Sequence, residues 1–284
     1  MADALTDISN DSGGRPRGIR FTSKRAWSMG AGGAAGALLL FMLLPIVALV
    51  ATLHWEDFYA GITHPSVAPA LRLSFTTTLM SLAIVIVLGT PLAWLISRRT
   101  GRAVQIVETL VRLPAVLPPA VAGVALLLAF GRLGLVGSWF AKLGVVIPFT
   151  MAAVVMAEIF VSAPFFLQSA ISAFRRVDES QLTVAKTLGA SPARVFFRIA
   201  LPIAAPGLIA GAAMSWARSL GEFGATLMFA GNLSGKTQTL TLAVYTTFES
   251  DMRAAQAISL VLVVVAFTLL FALTIRSNNV EGRI

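Results

Sequence analysis

The stretch that decides the fold is Thr183–Pro202, TVAKTLGASPARVFFRIALP, a basic segment between two hydrophobic runs. Gly189 follows the last apolar residue of a helical pattern, which is typical of a left-handed residue just beyond a helix end. Ser191 and Pro192 have the residue types preferred at the N-cap and first position of a helix. The sequence therefore predicts two short helices joined by a tight turn at Gly189.

The first of these helices has acidic and apolar signals of its own. Asp178 and Glu179 stand at its start, where the helix dipole favours acids. Leu182, Ala185 and Leu188 recur at a spacing of three and predict one apolar face. Such a face can dock in a groove on a soluble partner, or it can rest among lipid headgroups. From composition alone both interpretations stay open.

The composition as a whole is that of a membrane protein. Of 284 residues, 57% are hydrophobic and only 12% are charged. A soluble domain of this length could not bury so much apolar surface. The chain has no cysteine, which excludes disulfides and cysteine-based metal sites. His54 and His64 have no further ligands at metal-binding spacing, and no catalytic arrangement is readable, so we expect no metal site and no enzyme activity.

Six apolar stretches are long enough to cross a bilayer, and we predict an all-α polytopic membrane protein. They are approximately Gly30–Leu53, Leu73–Ile96, Leu113–Phe130, Ile147–Phe174, Ala200–Glu222 and Ala254–Ile275. Pro114, Pro118 and Pro119 interrupt the third, which we therefore expect to begin with an irregular or kinked turn.

The distribution of basic residues predicts the topology. Sixteen Lys and Arg residues fall on the side of both termini and five on the opposite side, which places both termini in the cytoplasm. The net charge of +9 thus reflects topology, and we expect no nucleic-acid partner. The predicted organisation is a disordered cytoplasmic tail (1–27), a six-span domain (28–278) with a cytoplasmic loop at about 175–199, and a short tail (279–284).

Small residues are concentrated in the fifth span. Gly207 and Gly211 form a small-xxx-small pair, which lets two helices approach closely. The neighbouring helix belongs either to the same chain or, if the span lines a pathway, to a second copy.

Three ionisable residues lie at membrane depth, where such residues are functional hypotheses by default. Arg218 and Glu222 are four residues apart and can pair on one helix face. The pair is either structural or part of an anion pathway. For Glu158, which would repel an anion, we expect hydrogen bonds from a neighbouring helix. The candidate pathway or gate residues are Ser215, Arg218, Ser219, Glu222 and Thr226.

The segment 231–237, GNLSGKT, superficially matches a phosphate-binding loop. It has three residues between the glycines instead of four, and it follows a membrane span rather than a strand. We therefore reject an ATP site in this chain.

The basic segment resembles the signature loop of ABC-transporter permease subunits. Gly189, Ile199, Leu201 and Pro202 fall on the family spacing, whereas only the last residue of its Glu-Ala-Ala triplet is kept, in Thr183–Ala185. The resemblance implies an ATPase-coupling loop that comprises Thr183, Val184, Ala185, Lys186, Leu188, Gly189, Ala190, Ser191, Pro192, Ile199, Leu201 and Pro202.

The segment Arg218–Tyr245 closely resembles the corresponding part of molybdate permeases, and is less similar to their sulfate relatives. Gly221–Thr226, Ala230–Asn232 and Leu113–Gly123 carry this resemblance. It implies the type I ABC-importer permease fold in a bacterial inner membrane and transport by a homodimer. Two ATP-binding subunits would hold ATP and Mg, so this chain would bind no cofactor, and an external protein would deliver the oxyanion.

Other functions remain as alternatives. Sulfate, thiosulfate and tungstate share charge and shape with molybdate. A stand-alone secondary anion transporter would have an inverted internal repeat, and none is clear. A membrane-embedded enzyme would need convergent catalytic residues at depth, which the sparse polar set does not supply.

Overall fold

The computed structural model describes residues 24–281, and over this range the chain is helical without a strand. One five-residue π-helical segment, Phe196–Ala200, joins two of the helices. The helices are α1 (Lys24–Ala51), α2 (Trp55–Ile62), α3 (Val67–Ser97), α4 (Arg102–Val116), α5 (Pro119–Phe130), α6 (Gly137–Lys142), α7 (Met151–Arg175), α8 (Glu179–Thr187), α9 (Pro192–Val195), α10 (Leu201–Leu220), α11 (Gly224–Ala230), α12 (Leu240–Ser250) and α13 (Met252–Glu281).

Each predicted span coincides with a helix or a helix pair. Within the described range, four helices are long and apolar enough to cross a membrane, namely Gly32–Ala51, Val67–Ser97, Met151–Arg175 and Pro192–Leu220. The pair α4 and α5 is a fifth if it counts as one broken span, and α13 contains a shorter apolar part, Met252–Thr268. The all-α membrane architecture is confirmed.

The third predicted span is broken at Leu117 and Pro118, within the proline-rich stretch where we expected an irregular or kinked turn. Its first residues belong to α4, and the axes of α4 and α5 differ by 114°. Leu117 and Pro118 are extended, with ψ of 136° and 135°. Each precedes a proline, and a proline ring disfavours helical geometry in the residue before it. At 12 residues, α5 is about 18 Å long, well short of the roughly 30 Å hydrocarbon core.

The chain divides into two compact units, at residue 52. In the first, α1 begins at Lys24, so residues 24–27 are helical although we expected them in the tail. In the second, α13 continues to Glu281, into the expected C-terminal tail. The remaining predicted tail residues, 1–23 and 282–284, lie outside the described residues.

The second unit is organised around α7, which contacts α3, α4, α5, α10 and α11. A run of alanines and aromatic residues makes most of α7 buried, with Phe166 and Phe174 almost completely inaccessible. One apolar core joins α7 to α3 and to the cytoplasmic loop, and another joins it to α5 and α11.

Close packing against α7 explains the glycine pair of the fifth span. A Cβ atom at Gly211 would lie 2.8 Å from the Cβ of Ser169, and one at Gly207 would lie 2.5 Å from the Cβ of Ala173. The hydroxyl of Ser169 also donates to the carbonyl of Gly207, over 2.7 Å. The two glycines therefore serve helix packing within one chain.

Candidate functional site

The cytoplasmic loop has the local structure that its sequence predicts. Asp178 is the N-cap of α8 and accepts a hydrogen bond from the backbone N–H of Ser180 over 2.9 Å. This bond stabilises the ionised carboxylate and holds the pKa of Asp178 below its usual value. Ser191 is the N-cap of α9 and accepts from the N–H of Arg194, and Pro192 is the first helical residue.

The turn between α8 and α9 depends on Gly189. Its φ is +82°, and a Cβ built there would meet no atom within 4 Å. The N–H of Gly189 donates to the carbonyl of Lys186, and that of Ala190 to the carbonyl of Ala185, both over 3.0 Å. These two bonds form a Schellman motif, which requires a left-handed residue at this position. Glycine is needed here for its backbone conformation, since space is available.

The apolar face predicted for α8 is divided between two environments. Leu182 is only 2% exposed and packs in the core, with Ala185 against its edge. Leu188 is 82% exposed, and Val184 one turn earlier is also exposed. The prediction of one docking face was therefore wrong, because part of it holds α8 to its own chain. We call the outward residues Val184, Leu188 and Gly189 the coupling surface.

The remaining predicted loop residues surround this surface or anchor it. Ile199 and Leu201 pack on the core around α7. The carbonyl of Phe196 accepts from the N–H of Leu201, one residue farther away than in an α-helix, just before Pro202, which has no N–H. Thr183, Lys186, Ser191 and Pro192 are exposed, and Ala190 is half-buried. Their role in coupling stays a prediction.

Glu158 has the environment expected of a buried carboxylate without a cation beside it. Thr77 donates its hydroxyl to Oε1 over 2.8 Å, and Ser81 donates to Oε2 over 2.7 Å. Both hydroxyls belong to α3, so the prediction of hydrogen bonds from a neighbouring helix is confirmed. Each carboxyl oxygen thus has a hydrogen-bond partner, which lowers the cost of burying this polar group.

The predicted ion pair between Arg218 and Glu222 is also present, with Nη1 and Oε2 2.7 Å apart. Oε1 of Glu222 accepts the backbone N–H of Ala225 over 2.7 Å, which ties the end of α10 to the start of α11. The side chain of Glu222 is 1% exposed and that of Arg218 is 29% exposed. Glu222 is thus buried and paired with an arginine whose side chain is only partly buried.

The other predicted pathway residues lie inside the chain. Ser215, Ser219 and Thr226 are buried, and the Ser215 hydroxyl donates to the carbonyl of Ser162 over 3.1 Å. Among the five, Arg218 has by far the largest accessible part. That these five residues line a transport pathway stays a prediction.

Segment 231–237 forms a turn between α11 and α12. The Thr237 hydroxyl accepts from the N–H of Leu233 over 2.9 Å, so the turn is stabilised from within. Among the side chains that the structure describes, no group of three or more could hold a metal ion.

One group of residues escaped the sequence reasoning. The sequence predicts no role for Arg98 beyond its cytoplasmic charge, but in the structure its guanidinium group contacts the carbonyl oxygens of Phe174 and Val177. Trp94, one turn earlier, contacts Phe174 and Phe196, with ring centroids 5.4 Å away in each case. No local pattern could have revealed these contacts, since they join residues between 76 and 102 positions apart.

Comparison with known proteins gives concordant matches. A family model described as "Binding-protein-dependent transport system inner membrane component" matches residues 85–283. The chain is 46% identical to the molybdenum transport system permease protein ModB of Mycobacterium bovis, over 80% of this chain and 86% of that protein. It is 33% identical to the sulfate transport system permease protein CysT of Escherichia coli, over 86% and 88% of the two chains. A chain of a bacterial alginate ABC transporter, solved with its periplasmic protein, has the same fold, with a TM-score of 0.71 at 17% identity over 90% of this chain and 96% of that one.

Proposed function

The chain belongs to the family of inner-membrane components of binding-protein-dependent transport systems, and on that premise we propose that this ABC-importer permease carries molybdate. The observation that carries the proposal is the 46% identity to a molybdenum permease over most of both chains, against 33% for the sulfate permease. The fold is that of type I ABC-importer permeases, and the chain is a multi-pass inner-membrane protein.

The proposed assembly contains two copies of this chain, two ATP-binding subunits that hold ATP and Mg, and an external oxyanion-binding protein. The coupling surface supports the ATP-binding partner, because Val184 and Leu188 are large apolar side chains exposed on a loop that the topology places in the cytoplasm. Hydrolysis of ATP would then occur on the partner, and this chain is a transport component.

In this proposal the membrane helices alternate between access to the outside and access to the cytoplasm. A doubly charged tetrahedral oxyanion needs positive potential and hydrogen-bond donors, yet binding must stay weak enough for release. Arg218 supplies such a group in this proposal, since its side chain is 29% exposed and its Nη1 is paired with Glu222. Tight selection would reside in the external binding protein.

Uptake of labelled molybdate at trace concentration tests the proposal, in cells with and without this gene and with excess sulfate or tungstate as competitor. We expect uptake to disappear with the gene and sulfate to compete poorly. Unchanged molybdate uptake together with a fall in sulfate uptake would instead favour the second candidate, a sulfate importer, which the similarity to CysT supports.

A further inference from the structure

Arg98, the residue that follows α3, contacts the start of the cytoplasmic loop. Its Nη2 donates to the carbonyl of Phe174, and both Nη1 and Nη2 lie 3.4 Å from the carbonyl oxygen of Val177. Phe174 lies in the last turn of α7, where its carbonyl also accepts the N–H of Val177, and Val177 lies just beyond the helix end. The guanidinium group is a further donor to both carbonyls, and its charge complements the helix dipole.

Arg98 also contacts α8, the first helix of the cytoplasmic loop. Its Nη1 lies 3.5 Å from Oε2 of Glu179, the first residue of α8. The Arg98 side chain is only 18% exposed, whereas that of Glu179 is 77% exposed. The ion pair itself is therefore worth little, and the contacts to the carbonyls of Phe174 and Val177 carry most of the attachment.

The second half of the cytoplasmic loop, α9 and the segment after it, contacts the end of α3 through aromatic rings. The guanidinium carbon of Arg98 lies over the Trp94 ring, 4.8 Å from the ring centroid. The other contacts of the ring are edge-on to Phe174 of α7 and to Phe196, which follows α9. Both halves of the cytoplasmic loop thus contact this end of α3: α8 contacts Arg98, and the segment after α9 contacts Trp94.

We propose that Arg98 is a positioning residue for transport. It holds the end of α3 to the junction between α7 and α8, residues 176–178. A displacement of the coupling surface then reaches α3 as well as α7 and α10, the two helices continuous with the loop. This inference rests on the proposed function, because it assumes that a partner moves the loop. Apolar packing alone would hold these elements together, but a guanidinium fork holds the carbonyls of Phe174 and Val177 in a fixed geometry, which an ammonium group on a flexible stem does not.

The first test compares Arg98→Gln with Arg99→Gln in the complete complex with its ATP-binding subunits and binding protein. Arg99 is exposed, adjacent in sequence and outside these contacts, so it is a matched control for loss of one cytoplasmic charge. The readouts are the amount of assembled complex, the ATP hydrolysis rate, and the molybdate transported per ATP hydrolysed. We expect Arg98→Gln to lower the transport-to-hydrolysis ratio about fivefold or more, the usual lower end of a coupling effect, with hydrolysis retained. A ratio within twofold of wild type would overturn the proposal.

A second measurement keeps the proposal testable if Arg98→Gln fails to assemble or if molybdate is not the substrate. The chain has no cysteine, so within this chain spin labels attach only at Ser97→Cys and Gln181→Cys. The distance between the two labels is measured in complexes that contain one doubly labelled copy and partner subunits without reactive cysteines, in the absence of nucleotide and with a non-hydrolysable ATP analogue. With Arg98 present, we expect one narrow distance distribution that is the same in both states. With Arg98→Lys, which keeps the charge but loses the fork, we expect it to broaden or shift on nucleotide binding. A nucleotide-dependent change with Arg98 intact, or no difference between Arg98 and Arg98→Lys, would overturn the role of Arg98 whatever the substrate is.

Discussion

Gly211 and Gly189 show how differently two regions of this chain depend on glycine. Gly211 lies where α10 packs against α7, and a Cβ there would lie 2.8 Å from the Cβ of Ser169. Gly189 forms the exposed turn of the cytoplasmic loop, where a Cβ would touch nothing but φ is +82°. One glycine is required for space and the other for backbone conformation.

This difference separates folding from function. The α7–α10 contact is buried, and a change there strains the core of the chain. The coupling surface contributes little to that core, so a change there should leave the chain folded and affect its action on a partner. Variants in the two regions should therefore fail in distinguishable ways.

The largest effect is expected from Gly211→Val. Its side chain would collide with Ser169 and with the carbonyl of Phe166, which a Cβ would approach to 3.2 Å. Overpacking of this kind costs about 1–3 kcal/mol, and the close helix contact offers little room for relaxation. We expect a strong fall in the amount of folded protein in the membrane. The measurement is the amount of detergent-extracted protein that elutes from gel filtration as a single monodisperse peak. Gly221→Ala is the control, because its nearest atom would be 3.7 Å away. Normal yield of Gly211→Val would show that this contact is more adaptable than its geometry indicates.

Gly189→Val should be next in effect, but on transport only. A residue with a side chain costs about 1–2 kcal/mol in the left-handed region, and a β-branched one costs more. We expect transport to fall roughly tenfold or more, while the folded amount stays near wild type. Gly189→Asn is the matched variant, since asparagine adopts this conformation more readily, and it should retain most transport. Normal transport by Gly189→Val would count against the coupling-loop interpretation.

Leu188→Ala tests the coupling surface without altering the backbone. The side chain is 82% exposed, so its removal should not change the stability of the isolated chain. A central apolar anchor of an interface contributes about 1–3 kcal/mol, so we expect roughly tenfold weaker binding of the ATP-binding subunit. The amount of that subunit recovered with the purified chain is the measurement. Thr187→Ala is a neighbouring control, and equal recovery from the two variants would remove Leu188 from the interface.

The smallest effect is expected from Ser191→Ala, which removes the N-cap of α9. The loss of such a cap costs about 0.5–2 kcal/mol, and α9 continues into α10, which limits the damage. We expect transport to fall less than about fivefold, with recovery in Ser191→Asp because aspartate also caps helices. A deficit in Ser191→Asp as large as in Ser191→Ala would mean that the hydroxyl serves a purpose other than capping.

The loop was predictable because its signals are local. Asp178, Gly189, Ser191 and Pro192 each specify a cap or a turn through their own backbone chemistry. The ion pair of Arg218 and Glu222 was predictable for the same reason, since four residues separate its partners on one helix.

The parts that sequence reasoning missed depend on distant residues or on the sum of weak effects. The contacts of Arg98 join α3 to α7 and could not be read from either segment alone. The prolines at 118 and 119 predicted a disturbance in the third span, but not a 114° bend. Likewise, the spacing of Leu182 and Leu188 predicted one face, whereas the core covers only Leu182.

The most direct test of the account is uptake of labelled molybdate into vesicles that contain the complete complex. ATP is enclosed on the side of the ATP-binding subunits, and the binding protein is supplied on the other side. We expect accumulation that requires both ATP and the binding protein, and that falls roughly tenfold or more in Gly189→Val at equal protein. Accumulation that continues without ATP and without the binding protein would contradict the account and indicate a stand-alone transporter.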